Sequence, residues 1–100
     1  MTDRIYTLQE IKAILNPIFT NHHVKKAVVF GSYAKGHADS DSDVDIFVDS
    51  GLRGLAFYGL LEDVVNSLDK DVDLLDTAQV IPFSEVHNEI TESGVVIYGQ

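Results

Sequence analysis

The 100-residue sequence contains no cysteine and no long apolar run. The lack of cysteine excludes disulfide bonds and metal sites built from thiolates. Because no apolar stretch approaches about 18 residues, a membrane-spanning helix is not expected. Residues 1–4 also lack the charged and apolar regions of a signal peptide, so the expected location is the cytoplasm.

Basic residues are scarce, with 7 Lys and Arg against 16 Asp and Glu and a formal net charge of -9. Stable non-specific binding to nucleic acid needs several basic side chains that neutralise phosphates, so this class of function is not expected. The hydrophobic share of 45% is ordinary for a globular protein. A single domain over residues 1–100 is therefore the expected organisation.

Local sequence patterns predict alternating helices and strands. The capping box from Thr7 to Glu10, followed by apolar residues at helical spacing, predicts a first helix that Pro17 should kink or end. Apolar patterns predict four strands, at residues 25–30, 43–48, 71–75 and 95–98. Further helical segments are predicted at residues 33–36 and 55–68, and a last helix is predicted to open at Pro82, with residues 84–92 as its body.

This order of elements predicts an α/β or α+β fold with a small mixed sheet of about four strands. The short connection between the first two strands allows an antiparallel pair. The second and third strands are joined through a helix, which allows a parallel crossover. We expect the helices to cover one face of the sheet and to leave the other face open for a site.

Two aspartates, Asp43 and Asp45, alternate with apolar residues in the second predicted strand. Side chains two positions apart on a strand point to the same face, about 6–7 Å apart at the backbone. Neighbouring carboxylates repel without a cation, and Mg²⁺ prefers carboxylate oxygens together with substrate phosphates. The alternative is a solvated acidic loop, since Asp39, Asp41 and Asp49 lie close by in sequence. Because aspartate is disfavoured in strands, the metal-site interpretation is preferred.

The third predicted strand repeats the pattern of the second, with Val-Asp-Leu-Leu at residues 72–75 matching Val-Asp-Ile-Phe at residues 44–47. If the two strands are neighbours, Asp73 can join the first two aspartates. Asp71 shares the face of Asp73 but lies at the start of the strand among charged residues, where a solvated role is expected. Asp76 lies three positions after Asp73, so its side chain points to the opposite face of the strand. The pattern therefore predicts Asp73 as the third carboxylate of the site.

Gly31 and Ser32 directly follow the first predicted strand. Glycine lets the backbone turn sharply and approach a ligand, and the serine hydroxyl and N–H suit phosphate oxygens. Lys35 could steady a phosphate. Taken alone, a Gly-Ser pair after a strand is most often a turn, and a surface lysine is most often solvated.

Two other binding motifs are excluded, because the sequence lacks the residues that they require at fixed positions. Residues 31–36 have the glycine spacing of a P-loop, but His37 and Ala38 stand where lysine and Ser or Thr are required. Residues 39–43 resemble the opening of an EF-hand loop, but Val44 and Ser50 replace its glycine and its bidentate glutamate.

The pair Gly31-Ser32, separated by ten residues from Asp43-Val44-Asp45, resembles the signature of the DNA polymerase β-like nucleotidyltransferase superfamily. The stretch VVFGSYAKGHADSDSDVDIFV is similar to the minimal nucleotidyltransferase (MNT) branch, except that Tyr33 stands where an arginine is usual. The resemblance extends to Asp73 and to the ending ESGVVIYG, so it covers nearly the whole chain. It implies the polymerase β-like nucleotidyltransferase fold.

The resemblance also implies a role for each candidate residue. The catalytic residues would be the metal-binding aspartates, Asp43, Asp45 and Asp73, which would hold two Mg²⁺ or Mn²⁺ ions. The triphosphate of ATP would be bound by Gly31 and Ser32, with Lys35 as the nearby cation. An acceptor hydroxyl would attack the α-phosphate and pyrophosphate would leave.

Larger relatives carry further domains that bind the acceptor, whereas 100 residues leave no room for one, so the acceptor is expected to be another protein. Stand-alone MNT proteins resemble the antitoxin of HEPN/MNT toxin–antitoxin pairs, in which the MNT protein adenylylates a tyrosine of its HEPN ribonuclease partner. The resemblance thus implies AMP transfer from ATP to a partner toxin. The alternative is a non-catalytic antitoxin that inhibits its partner by direct contact.

Overall fold

The computed structural model describes residues 2–99. In that range the helices are α1 (Leu8–Asn21), α2 (Gly31–Lys35), α3 (Leu55–Leu68) and α4 (Glu85–Ser93), and the strands are β1 (Lys26–Phe30), β2 (Val44–Asp49), β3 (Val72–Asp76) and β4 (Val95–Tyr98). The predicted order of elements is confirmed, and a 3₁₀ turn at Thr77–Gln79 is added to it. None of these helices has the length and apolar character needed to cross a bilayer.

The four strands form one mixed sheet in the order β3-β2-β1-β4. Strand β1 pairs antiparallel with β2 and with β4. Strands β2 and β3 are parallel neighbours, and the chain crosses between them through α3. The antiparallel pair of β1 with β2 and the parallel pair of β2 with β3, which the connections allowed, are therefore both present. Strand β2, which carries Asp45, lies between β1 and β3.

The hydrophobic core lies between the sheet and the two 14-residue helices α1 and α3. Each helix buries an apolar stripe at helical spacing, and the sheet supplies the alternate residues of its strands. Each fully buried aliphatic or aromatic side chain contributes about 1.5–3 kcal/mol. The core residues from these helices and from β1 and β2 are Ile11, Leu15, Phe19, Leu60, Val64, Leu68, Ala27, Val29, Val44, Ile46 and Val48.

Helix α4 borders the opposite face of the sheet. Its residues His87 and Ile90 line a cleft together with Val28, Phe47 and Val96 of the strands. The prediction that the helices cover one face therefore holds for α1 and α3 but not for α4. The opposite face is partly covered, and the part that carries Asp45 lies beside this cleft on β2.

The helix boundaries bear on the predicted roles of both prolines. Helix α1 continues through Pro17 to Asn21, so Pro17 does not end it. A proline inside a helix costs roughly 3 kcal/mol, and complete burial of Phe19, whose ring lies 5.5 Å from that of Tyr98, offsets much of that cost. Pro82 lies before α4, which begins only after Ser84, because the Ser84 hydroxyl accepts the cap hydrogen bond from the His87 N–H at 3.2 Å.

Candidate active site

The strand register places Asp45 between two other elements of the predicted site. Asp45 of β2 lies opposite Phe30 of β1, the residue before Gly31, and opposite Asp73 of β3. Facing residues on adjacent strands are separated by about 5 Å and their side chains share one face of the sheet. The parallel pairing thus brings together two carboxylates that are far apart in sequence.

Asp43 lies immediately before β2, which begins at Val44 and not at Asp43 as predicted. The Val44 N–H donates a hydrogen bond of 3.1 Å to the Asp71 carbonyl, which fixes the start of β2 against β3. The Asp43 side chain is exposed at this entry to the sheet. The Asp71 carbonyl therefore takes part in the strand pairing, while Asp73 occupies the register position opposite Asp45.

Gly31 allows the Asp45 carboxylate to pack against the backbone at the start of α2. Its φ of +70° lies in the left-handed region, and a Cβ atom at this position would lie 2.2 Å from Asp45 Oδ2. Glycine is thus required here for both conformation and space. The sequence predicted that a bound molecule approaches this glycine closely. In the structure the group that approaches it is the side chain of Asp45, a predicted metal ligand.

The surroundings of Asp45 perturb its carboxyl group. Burial raises the pKa of Asp45 from 3.8 to about 6, and the negative charges of Asp73, Asp43 and Glu89 add to the rise. Neighbouring carboxylate oxygens fit the ligand preference of Mg²⁺ or Mn²⁺. Within residues 2–99, however, no three such side chains are already close enough to hold an ion. A bound cation would have to draw these carboxylates together.

Lys35 is engaged by a residue that the sequence analysis did not identify. Its Nζ lies 2.8 Å from Oε1 of Glu89 in α4, and both side chains are about 40% exposed. The charge of Glu89 also acts on Asp45. No sequence signal marked Glu89, because a single glutamate in an amphipathic helix is usually solvated.

Tyr33, which stands where an arginine is usual in the MNT pattern, belongs to the core. Only 5% of the residue is exposed. Its hydroxyl has no hydrogen bond of ordinary geometry among residues 2–99. Burial raises the pKa of the phenol, since the phenolate would be poorly solvated. Tyr33 therefore supplies packing to α2 and offers no charge to a phosphate.

Asp39, another acidic residue of the run, serves local structure. Asp39 Oδ1 accepts hydrogen bonds from the Asp41 N–H at 2.9 Å and from the Ser42 hydroxyl at 3.2 Å, which orders the loop before β2. Lys70, only 2% exposed, donates to the Ser40 carbonyl at 3.2 Å and holds this loop against the start of β3. Its position within an acidic stretch of sequence gave no indication of this burial.

Asp76 is also structural. It is buried at the end of β3 and accepts hydrogen bonds from the hydroxyl and the N–H of Ser50 and from the Thr77 N–H, the last at 2.7 Å. Its strand parity is opposite to that of Asp73, and its side chain accordingly points away from Asp73 into this network.

Comparison with known proteins identifies the family. The family described as polymerase beta nucleotidyltransferase matches residues 9–100. A protein of Methanocaldococcus jannaschii, named as a candidate protein adenylyltransferase, is 36% identical over 78 residues, which is 75% of this chain and 83% of the relative.

Two solved structures have the same fold. A toxin–antitoxin structure with AMP-PNP superposes with a TM-score of 0.74 at 26% identity, over 89% of this chain and 73% of the other. The Shewanella oneidensis complex of a tri-AMPylated HEPN toxin with its MNT antitoxin gives a TM-score of 0.68 at 23% identity, over 94% and 74%. Because the family match spans more than nine-tenths of the sequence and includes every residue of the aspartate cluster, this chain belongs to the polymerase β-type nucleotidyltransferase family.

Proposed function

We propose that this protein transfers AMP from ATP to a hydroxyl, preferably of tyrosine, on a partner HEPN-type ribonuclease toxin and thereby neutralises that toxin. The observation that carries the proposal is the pairing of Asp45 with Asp73 beside Gly31, with Asp43 at the entry to the same strand. Membership in a nucleotidyltransferase family supplies the reaction class. The proposal includes a cytoplasmic location, because the reaction consumes ATP.

The carboxylates would hold two divalent cations, Mg²⁺ or Mn²⁺, which supply positive charge to the phosphates and to the attacking oxygen. Asp43 and Asp45 would bind both ions, and Asp73 would hold the ion on the acceptor side. Gly31 and Ser32 would position the triphosphate at the start of α2. The acceptor oxygen would attack the α-phosphorus, the bond to the β-phosphate oxygen would break, and an exposed carboxylate oxygen of Asp73 would take the hydroxyl proton.

A protein acceptor is supported by charge and by the named relatives. With a net charge of -9, this chain is poorly suited to hold nucleic acid but can complement a basic partner. The Shewanella complex joins an MNT antitoxin to a HEPN toxin that carries AMP, and the Methanocaldococcus relative is named for protein adenylylation. A docked partner would present its hydroxyl near the aspartates and complete the site by positioning.

The test uses the co-purified complex of this protein with its partner. After addition of Mg²⁺ and ATP, intact mass spectrometry should detect added AMP groups on the partner, and its ribonuclease activity should fall in step. Asp45→Asn and Ser32→Ala should each remove the added mass. Asp49→Asn, which removes a carboxylate from the same strand away from Asp73, is the matched control and should retain transfer.

The competing function is inhibition by contact alone. The engagement of Lys35 by Glu89 and the burial of Tyr33 favour it, since both leave the phosphate side with little free positive charge. Complete inhibition of the partner without ATP, unchanged by Asp45→Asn, would contradict the enzymatic proposal and support this one.

A further inference from the structure

The ion pair between Lys35 and Glu89 connects the two helices that border the proposed nucleotide site. Lys35 is the last residue of α2, the helix that begins at Gly31, and Glu89 lies in the middle of α4. The 2.8 Å contact between Lys35 Nζ and Glu89 Oε1 is the only direct side-chain bond between α2 and α4 recorded within residues 2–99. Glu89 is also near enough to Asp45 for its charge to act on that carboxyl.

We propose that Glu89 is an internal competitor of the nucleotide: it holds Lys35 by an ion pair, and the triphosphate must displace it to reach the lysine. The inference rests on the proposed function, because it concerns the same triphosphate site. It assigns Glu89 the role of an affinity-determining residue that touches neither the reacting atoms nor the metal ions.

The balance of charges around Lys35 determines the cost of binding a triphosphate. Lys35 is the only cation that the sequence places near the phosphates, and in the structure its ammonium is already neutralised by a carboxylate. A triphosphate that takes this ammonium leaves Glu89 unpaired beside a polyanion, and like charges at such distances repel. Binding energy is therefore reduced twice, by the loss of the existing pair and by the new repulsion.

The magnitude is limited because both side chains are about 40% exposed. A pair of this kind is screened by solvent, so its removal should change affinity by about two- to fivefold. The gain should shrink as salt rises from about 0.05 M to about 0.5 M, because mobile ions screen exposed charges more strongly at higher ionic strength.

The ion pair between Glu89 and Lys35 should also affect product release. When pyrophosphate leaves, Glu89 is in place to recapture Lys35, so the same carboxylate that weakens binding also favours clearance of the phosphate side. Glu89→Gln should therefore slow pyrophosphate dissociation as well as strengthen binding of Mg·ATP.

The test is titration calorimetry of Mg·ATP into the full-length wild type, Glu89→Gln, Lys35→Met and the double variant. We expect Glu89→Gln to lower Kd about two- to fivefold and to have little effect when Lys35 is already methionine. Glu62→Gln, which removes one exposed carboxylate from α3, controls for net charge and should leave Kd unchanged.

Equal or weaker binding by Glu89→Gln, with the wild type binding normally, would overturn this inference and leave the proposed function intact. The same gain in the Lys35→Met background would also overturn it, since the effect would then not act through the lysine. If neither the wild type nor Glu89→Gln binds Mg·ATP, the proposed function itself fails and the inference fails with it.

Discussion

Asp45→Asn should stabilise the protein in metal-free buffer at neutral pH while it abolishes the response to Mg²⁺. The pKa of Asp45 rises from 3.8 to about 6 because the carboxyl is partly buried and because Asp73 and Asp43 are close. The folded state therefore holds a proton that the unfolded chain has lost between about pH 4 and pH 6. By linkage, the free energy of unfolding falls as the pH rises through that window, and at pH 7 the full penalty is present.

The size of the penalty follows from the shift. A rise from 3.8 to about 6 corresponds to at most about 3 kcal/mol. Solvent screening of a partly exposed carboxyl reduces this to about 1–2 kcal/mol. For a domain of 100 residues, that is an increase in Tm of roughly 5–10 °C in the variant.

The assay is thermal or urea unfolding with EDTA at several pH values from 4 to 8, followed by the same series with Mg²⁺. The wild type should lose stability between pH 4 and 6 and regain it with Mg²⁺, whereas Asp45→Asn should show a flatter profile and no gain with Mg²⁺. Glu62→Gln serves as the exposed control. A variant less stable than the wild type at pH 7 in EDTA would refute the reasoning, because it would mean that the carboxylate is compensated in the folded protein.

Three further predictions concern neighbouring positions. Gly31→Ala should destabilise the fold by about 2–3 kcal/mol in urea titration, since the new Cβ meets Asp45 in a left-handed conformation. Tyr33→Phe should change stability by no more than about 0.5 kcal/mol, because the hydroxyl that it removes has no hydrogen-bond partner of ordinary geometry within residues 2–99; a large loss would reveal a partner. Asp73→Asn should slow AMP transfer at least a hundredfold with Mg·ATP binding largely retained, while Asp71→Asn should not; the opposite ranking would reverse the assignment of the third carboxylate.

Strand parity explains how much of the site was predictable. Asp45 and Asp73 each follow a valine and precede two apolar residues, so the burial of the sheet fixes both side chains on the same face. The parallel pairing of β2 with β3 then sets the two aspartates opposite each other. The alternation of side chains along each strand, together with the parallel crossover between β2 and β3, was sufficient to predict that Asp45 and Asp73 lie near each other. Both features directly constrain where a side chain lies in the sheet.

Contacts between separate helices were not predictable in the same way. Glu89 reaches Lys35 only because α4 packs on the side of the sheet opposite to α1 and α3, and no local pattern in the sequence specifies that face. Lys70 was missed for a similar reason, since its neighbours in sequence are charged and its burial results from the loop at residues 37–42 folding over it. Helix α1 continues through Pro17 because tertiary burial of Phe19 outweighs a local preference, whereas α4 begins after Pro82 because Ser84 provides its cap.

The loss of folding stability at the aspartate site and its capacity to bind cations have the same physical origin. The partly buried Asp45 carboxylate, repelled by its acidic neighbours, should lower the stability of the protein in metal-free buffer, and the same negative charge favours binding of divalent cations. Any ligand that binds only the folded state then adds stability with its concentration, about 2.7 kcal/mol at a hundred times its Kd. Nucleotide and metal should therefore both raise the unfolding midpoint. Glu89 should influence both effects, because it forms an ion pair with Lys35 and its charge acts on Asp45.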